Sequence, residues 1–114
     1  MKLALALLVL GACDPPPVEM SEFPCPPAGT QLTWDNFGQE FLDVNCNTCH
    51  AADEGHRHGA PAGYVFDTRE GVLAHRDRSF VRAATTNTSM PPGPVDPPAD
   101  ERDRLAEWLA CGAP

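Results

Sequence analysis

Apolar residues in this chain recur at helical spacing in three separated stretches, and no run alternates as a strand would. In the first stretch Trp34, Phe37, Phe41 and Val44 form one stripe, and Thr33 just before them is placed to cap a helix N-terminus. The second puts Leu73, Phe80, Val81 and Ala84 on one face, with Asp67 and Glu70 spaced as a capping box. The third follows Pro97-Pro98, has the acidic Asp100 and Glu101 where a helix dipole favours them, and turns Leu105, Trp108 and Leu109 inward before Cys111-Gly112 ends it. A Gly-rich loop at residues 56–63 joins the first two, and a loop around Met90 joins the last two. The pattern predicts an all-α domain of about three helices.

The segment ahead of these helices reads differently. Residues 3–10 are apolar after Met1-Lys2, but a bilayer-spanning helix needs about 20 such residues, so residues 1–12 read as a secretion leader. The run Leu10-Gly11-Ala12-Cys13 resembles the lipobox of bacterial lipoproteins. That resemblance implies cleavage before Cys13 and lipid attached to it, giving an extracytoplasmic, membrane-anchored protein in the periplasm or at the cell surface. An ordinary secretory signal followed by a chance cysteine is the alternative. Residues 13–30 include Pro15, Pro16, Pro17, Pro24, Pro26 and Pro27, through which no helix can run. They are expected to form a lipidated, semi-extended tether holding the domain at residues 31–114 some 30–50 Å from the membrane, at about 3 Å per residue.

Charge narrows the partners. The chain of 114 residues carries a formal −8, and loss of Lys2, its only lysine, with the leader makes this −9. An acidic surface argues against nucleic acid, and it could complement a basic protein partner, although solubility alone would explain it.

Candidate chemistry concentrates in Cys46-Asn47-Thr48-Cys49-His50, a C-x-x-C-H run of the kind that attaches a c-type haem. Two thiols can add across the haem vinyl groups as thioethers, and the histidine next in line can give a ring nitrogen to the iron. Zinc needs four nitrogen or sulfur ligands, which Cys46, Cys49 and His50 with His56 or His58 could nominally supply. A redox dithiol would ordinarily follow a strand, and none is visible here. If Cys13 takes lipid and Cys46 and Cys49 take haem, Cys25 and Cys111 remain of the five cysteines. In an oxidising compartment they are expected to pair, with two free buried thiols as the alternative.

From residue 32 to residue 112 the chain resembles the small class I (monohaem) cytochromes c. In that family the first helix carries a glycine eight residues, and a bulky apolar residue four residues, before the first haem cysteine; Gly38 and Leu42 stand there. The last helix carries a leucine and then an aromatic three residues on, matched by Leu105 and Trp108. The resemblance implies that the last helix crosses the first at Gly38. Ser89-Met90-Pro91-Pro92-Gly93 is similar to the family's methionine loop, making Met90 the expected distal iron ligand beside His50 as the proximal one. His75, His56 and His58 are the alternative sixth ligands. Pro61 resembles the residue whose carbonyl accepts the proximal histidine's other N–H. The implied protein is a monomeric electron carrier with one covalent haem c, exchanging single electrons with a membrane dehydrogenase or cytochrome complex on one side and a terminal oxidase or reductase on the other. No acid–base pair suggests an enzyme. The rival functions are a haem site with an open or labile sixth position, serving as gas sensor or peroxidase, and a zinc-binding structural lipoprotein.

Overall fold

The computed structural model describes residue 11, residues 13–53 and residues 55–114; the leader expected at residues 1–12 lies, Gly11 apart, outside the described residues. The described residues form helices and turns with no strand, an all-α arrangement. No helix among them is long and apolar enough to cross a membrane.

Thr33 caps the first helix as expected: its Oγ1 accepts from the Asn36 N–H at 3.2 Å, and the Asn36 side chain accepts from the Thr33 N–H at 2.7 Å. The chain then winds as a wide π-turn over Trp34–Gly38 before continuing as α1, Gln39–Asn45. The extra residue in that turn rotates everything after it. Phe37, Phe41 and Leu42 therefore face inward, while Val44, expected on the stripe, is 60% exposed. After a break at Cys46, a single helical turn, α2 (Asn47–His50), carries the rest of the cysteine–histidine motif.

The second predicted helix is two. α3 (Arg69–Ala74) and α4 (Arg76–Ala83) meet at His75, whose φ of −129° and ψ of 26° interrupt the winding. Its cap is Thr68, which accepts from the Gly71 N–H at 3.1 Å, rather than Asp67, whose carboxylate instead accepts from the Ala52 N–H at 3.1 Å. Val72 is buried and Leu73 half out, a shift of one residue from the expected face; Phe80 and Ala84 are fully buried. α5 (Ala99–Ala110) begins after Pro98 and buries Leu105, Trp108 and Leu109 as its pattern requires.

α5 crosses the first helix at Gly38, where a Cβ would lie 2.6 Å from Cη2 and 2.9 Å from Cε2 of Trp108, and closer still to Cζ2. Only glycine permits this approach. Trp108 is enclosed there by Phe37, edge-on at 6.0 Å, and Trp34 at 6.3 Å.

The tether is the largest departure from expectation. Val18, Met20 and Phe23 pack against the core, a short 3-10 turn at Met20–Glu22 lies against α4, and the Phe23 ring sits 6.0 Å from Phe80. The Asn87 side chain grips Val18 at both backbone groups, accepting from its N–H at 2.8 Å and donating to its carbonyl at 2.9 Å. Cys25 is joined to Cys111 at the end of α5, with Cα atoms 4.8 Å apart. Residues 18–30 are thus part of the domain. The prolines do keep them extended, but their apolar side chains find a surface to cover. Residues 13–17, exposed throughout, would span roughly 15 Å at about 3 Å per residue, against the 30–50 Å expected of the whole segment.

Candidate haem-attachment site

Cys46 ends α1 and Cys49 and His50 occupy the following turn, so one short stretch of backbone presents both thiols and the imidazole. Cys46 and Cys49 are unpaired and half-buried, as is His50. Burial pushes the Cys46 thiol up from 9.0 to about 12; the positive charge of Arg102 opposes the rise and Cys49 adds to it. A thiol held neutral in this way is a poor nucleophile at neutral pH, contrary to what a redox dithiol requires.

His50 is oriented by the segment that returns past it. Its Nδ1 lies 2.8 Å from the carbonyl oxygen of Tyr64, which can only accept, so Nδ1 is the nitrogen that donates and, in the neutral ring, Nε2 is the one with the lone pair. The Phe66 ring covers the imidazole at 4.7 Å, and the Phe66 N–H donates to the His50 carbonyl at 2.9 Å. Asn47 Nδ2 ties the same segment to α2, reaching the Phe66 carbonyl at 3.3 Å and Asp43 Oδ1 at 2.8 Å. Gly71 lets α3 start close against this segment, since a Cβ there would run into the Val65 carbonyl.

The carbonyl expected for this role was that of Pro61, and it is engaged otherwise. It accepts from the Tyr64 N–H at 3.2 Å and from Arg57 Nη2 at 3.0 Å. Tyr64, three residues on, takes its place because the turn at residues 61–64 brings residue 64 back toward α2. Arg57, which sequence reasoning passed over, braces the whole loop: it donates to the carbonyls of Ala51 at 2.8 Å, Pro61 and Tyr64, the last at 3.0 Å. It therefore shares the acceptor used by His50.

His75 lies behind this wall. Its ring stacks on Tyr64 at 4.0 Å and its Nε2 is 2.9 Å from the Gly63 carbonyl. Those contacts place it among the residues that support His50, which argues against it as the sixth ligand. His56 and His58 lie together in the loop, their ring centroids 4.2 Å apart.

Met90 is 39% exposed in the loop between α4 and α5. The loop's backbone is held on both sides: the Met90 N–H donates to the Arg82 carbonyl at 2.8 Å, and the Met90 carbonyl accepts from Arg102 Nη1 at 2.9 Å. Met20 is packed against the core at the other end of the chain's contacts with α4 and is no rival. Among the described residues, the large apolar side chains left exposed are Val44 beside the motif, Met90 and Val95 in this loop, and Leu73.

Arg102 and Asn87 are the other residues that sequence reasoning missed. Arg102 had a signal: it shares the stripe of Leu105, Ala106 and Leu109, where a solvated arginine has no place. Among the described residues no group of three or more His, Cys, Asp or Glu is arranged to hold a metal ion. No protein-family model, curated protein or solved structure matches this chain.

Proposed function

We propose that this chain is a lipid-anchored, extracytoplasmic c-type cytochrome that passes single electrons between redox proteins. The observation that carries the reading is the state of His50. It stands next to Cys49 on one turn, its Nδ1–H is committed to the Tyr64 carbonyl, and its Nε2 is left as a ligand. Fixing the tautomer through the remote nitrogen is what an imidazole needs before it can bind a metal well.

Cys46 and Cys49 would hold the haem through thioethers, and His50 and Met90 would be its axial ligands. When bound, the haem supplies one-electron exchange between ferric and ferrous iron, and a neutral thioether ligand favours the ferrous form. The chain's own part is positioning and exclusion. Phe66 shields the imidazole, Arg57 and Asn47 lock the segment that orients it, and the loop from α4 to α5 presents Met90. Exposed Val44, Met90 and Val95 are apolar surface that a bound macrocycle could cover. With His50 and Met90 both holding the iron, no position on it would be left for a substrate, as carriage of electrons rather than catalysis requires. Lipid on Cys13 would anchor the protein, and a short spacer would confine it to partners at the same membrane.

The test is spectroscopic. The purified protein should give a c-type pyridine haemochrome that acid acetone does not extract, and extractable or absent haem would overturn the proposal. The near-infrared band of a methionine–ferric iron bond should be present and should vanish in Met90→Ala; its survival would remove Met90 as ligand. Rapid carbon monoxide binding by the reduced wild type would favour a sensor or peroxidase with a labile sixth position.

A further inference from the structure

α5 buries a charge among apolar neighbours. Arg102 is 2% exposed, and an unpartnered guanidinium at that depth would be strongly destabilising. Each of its three nitrogens has an acceptor. Nε donates to the Pro97 carbonyl at 3.2 Å, and Nη1 to the carbonyls of Ala83 at 2.8 Å, Asn87 at 3.1 Å and Met90 at 2.9 Å. Nη2 meets Asp96 Oδ1 at 2.9 Å.

These acceptors have one thing in common. Ala83 ends α4, Asn87 and Met90 belong to the loop that follows, and Asp96 and Pro97 lead into α5. One side chain therefore gathers both ends and the middle of the loop that presents Met90. The return contact runs through the backbone, where the Thr85 N–H donates to the Arg102 carbonyl at 3.2 Å. Asn87 extends the brace outward to Val18 and to the Phe80 carbonyl, at 3.1 Å.

We propose that Arg102 is a positioning residue for Met90, fixing from α5 the backbone on which the thioether is presented and so setting how firmly that ligand is held. The inference rests on the haem reading above. A planar fork of five donors can serve carbonyls lying in several directions at once; a lysine ammonium at the end of a flexible stem cannot. The ion pair itself matters less, because the Asp96 side chain is 80% exposed and its charge is screened by water.

The experiment titrates the ferric holoprotein with imidazole, which competes with Met90 for iron, and follows loss of the methionine–iron band. Losing the bond that fixes the Met90 carbonyl should let imidazole displace the ligand at about tenfold lower concentration in Arg102→Lys and Arg102→Gln. Asp96→Asn should stay within about twofold of wild type, since the backbone bonds survive. Haem-loaded Arg102 variants with the wild-type midpoint would overturn the proposal. Should those variants fail to accumulate, hydrogen exchange on the wild type decides. Saturating imidazole should lower protection of the Thr85 and Met90 amides together, and unchanged protection at both would refute the coupling. A wild type without covalent haem would instead fail the underlying reading, and that is seen before any variant is made.

Discussion

Replacing Gly38 by alanine tests the crossing on which the helical core depends, because two effects of opposite sign compete there. Gly38 has helical dihedrals, φ −59° and ψ −49°, so alanine should stabilise the helix by about 1 kcal/mol through propensity alone. Against this, the new Cβ would enter the Trp108 ring, 2.6 Å from Cη2 and 2.9 Å from Cε2, and the ring or helix must retreat by roughly 1 Å to restore ordinary contact. Trp108 cannot swing into solvent: it is fully buried, with Phe37 and Trp34 against it. Overpacking against an immobile ring belongs at the upper end of the usual range, about 3 kcal/mol, which leaves a net loss of about 2 kcal/mol. Urea unfolding followed by far-UV circular dichroism would show it, as would a fall in Tm of about 10 °C. Trp108→Phe should relieve the conflict, so that Gly38→Ala costs at least about 1 kcal/mol less in that background. A more stable Gly38→Ala protein would mean that propensity wins and the close crossing does not exist.

Other outcomes follow from the same geometry. Removing the Cys25–Cys111 bridge by paired alanine substitution should lower stability by about 4–5 kcal/mol, read from the urea midpoint, because the bridge spans 86 positions of sequence; a loss below 1 kcal/mol would contradict the chain-entropy account. Arg57→Gln removes a positive charge beside the proposed proximal ligand and frees the Tyr64 carbonyl to accept more strongly from His50. Both effects favour ferric iron, so the reduction potential should fall by on the order of tens of millivolts, less in Arg57→Lys; a rise would refute the assignment. In the chain produced without haem, Cys46 should react with iodoacetamide at pH 9 at least roughly 50-fold more slowly in buffer than in urea. Because folding raises this thiol from 9.0 to about 12, its contribution to stability is complete below pH 9 and is lost as pH climbs from there toward 12. Cys46→Ala should flatten that part of the pH–stability profile.

What could be read in the sequence was whatever local chemistry decides. α5 was legible throughout, since two prolines stand just before it and acidic first-turn residues and an apolar stripe lie within it. Thr33 was legible as a cap, and Gly38 with Trp108 as a crossing. The π-turn at Trp34–Gly38 was not, because nothing in a 3.6-residue pattern marks one extra residue, and it moved Val44 out and Leu42 in. Nor does the break at His75 carry a glycine or proline; the residue there is one whose ring stacks on Tyr64, a contact from outside the helix. The prolines of residues 15–27 correctly denied an α-helix, leaving one short 3-10 turn, but whether such a segment floats or packs depends on partners such as Asn87, 69 positions from Val18. The acceptor for His50 was missed by three residues because a backbone carbonyl has no side-chain signature.

The two faces of the proposed haem site are therefore held by different kinds of contact. His50 is fixed by its own neighbourhood: Tyr64 is 14 residues away, Asn47 and Phe66 are 19 apart, and Arg57 closes the loop between. These bonds form within one short excursion of chain and close a small loop, at modest entropic cost. Met90 is held over similar spans: its N–H donates to the Arg82 carbonyl and its carbonyl accepts from Arg102, 12 residues on. What sets its loop apart is Asn87, which also ties it to Val18, 69 positions away, in a segment that Cys25 fastens to the end of α5. The proposed proximal ligand is thus held within its own loop, whereas the loop of the proposed distal ligand is tied as well to the far end of the chain.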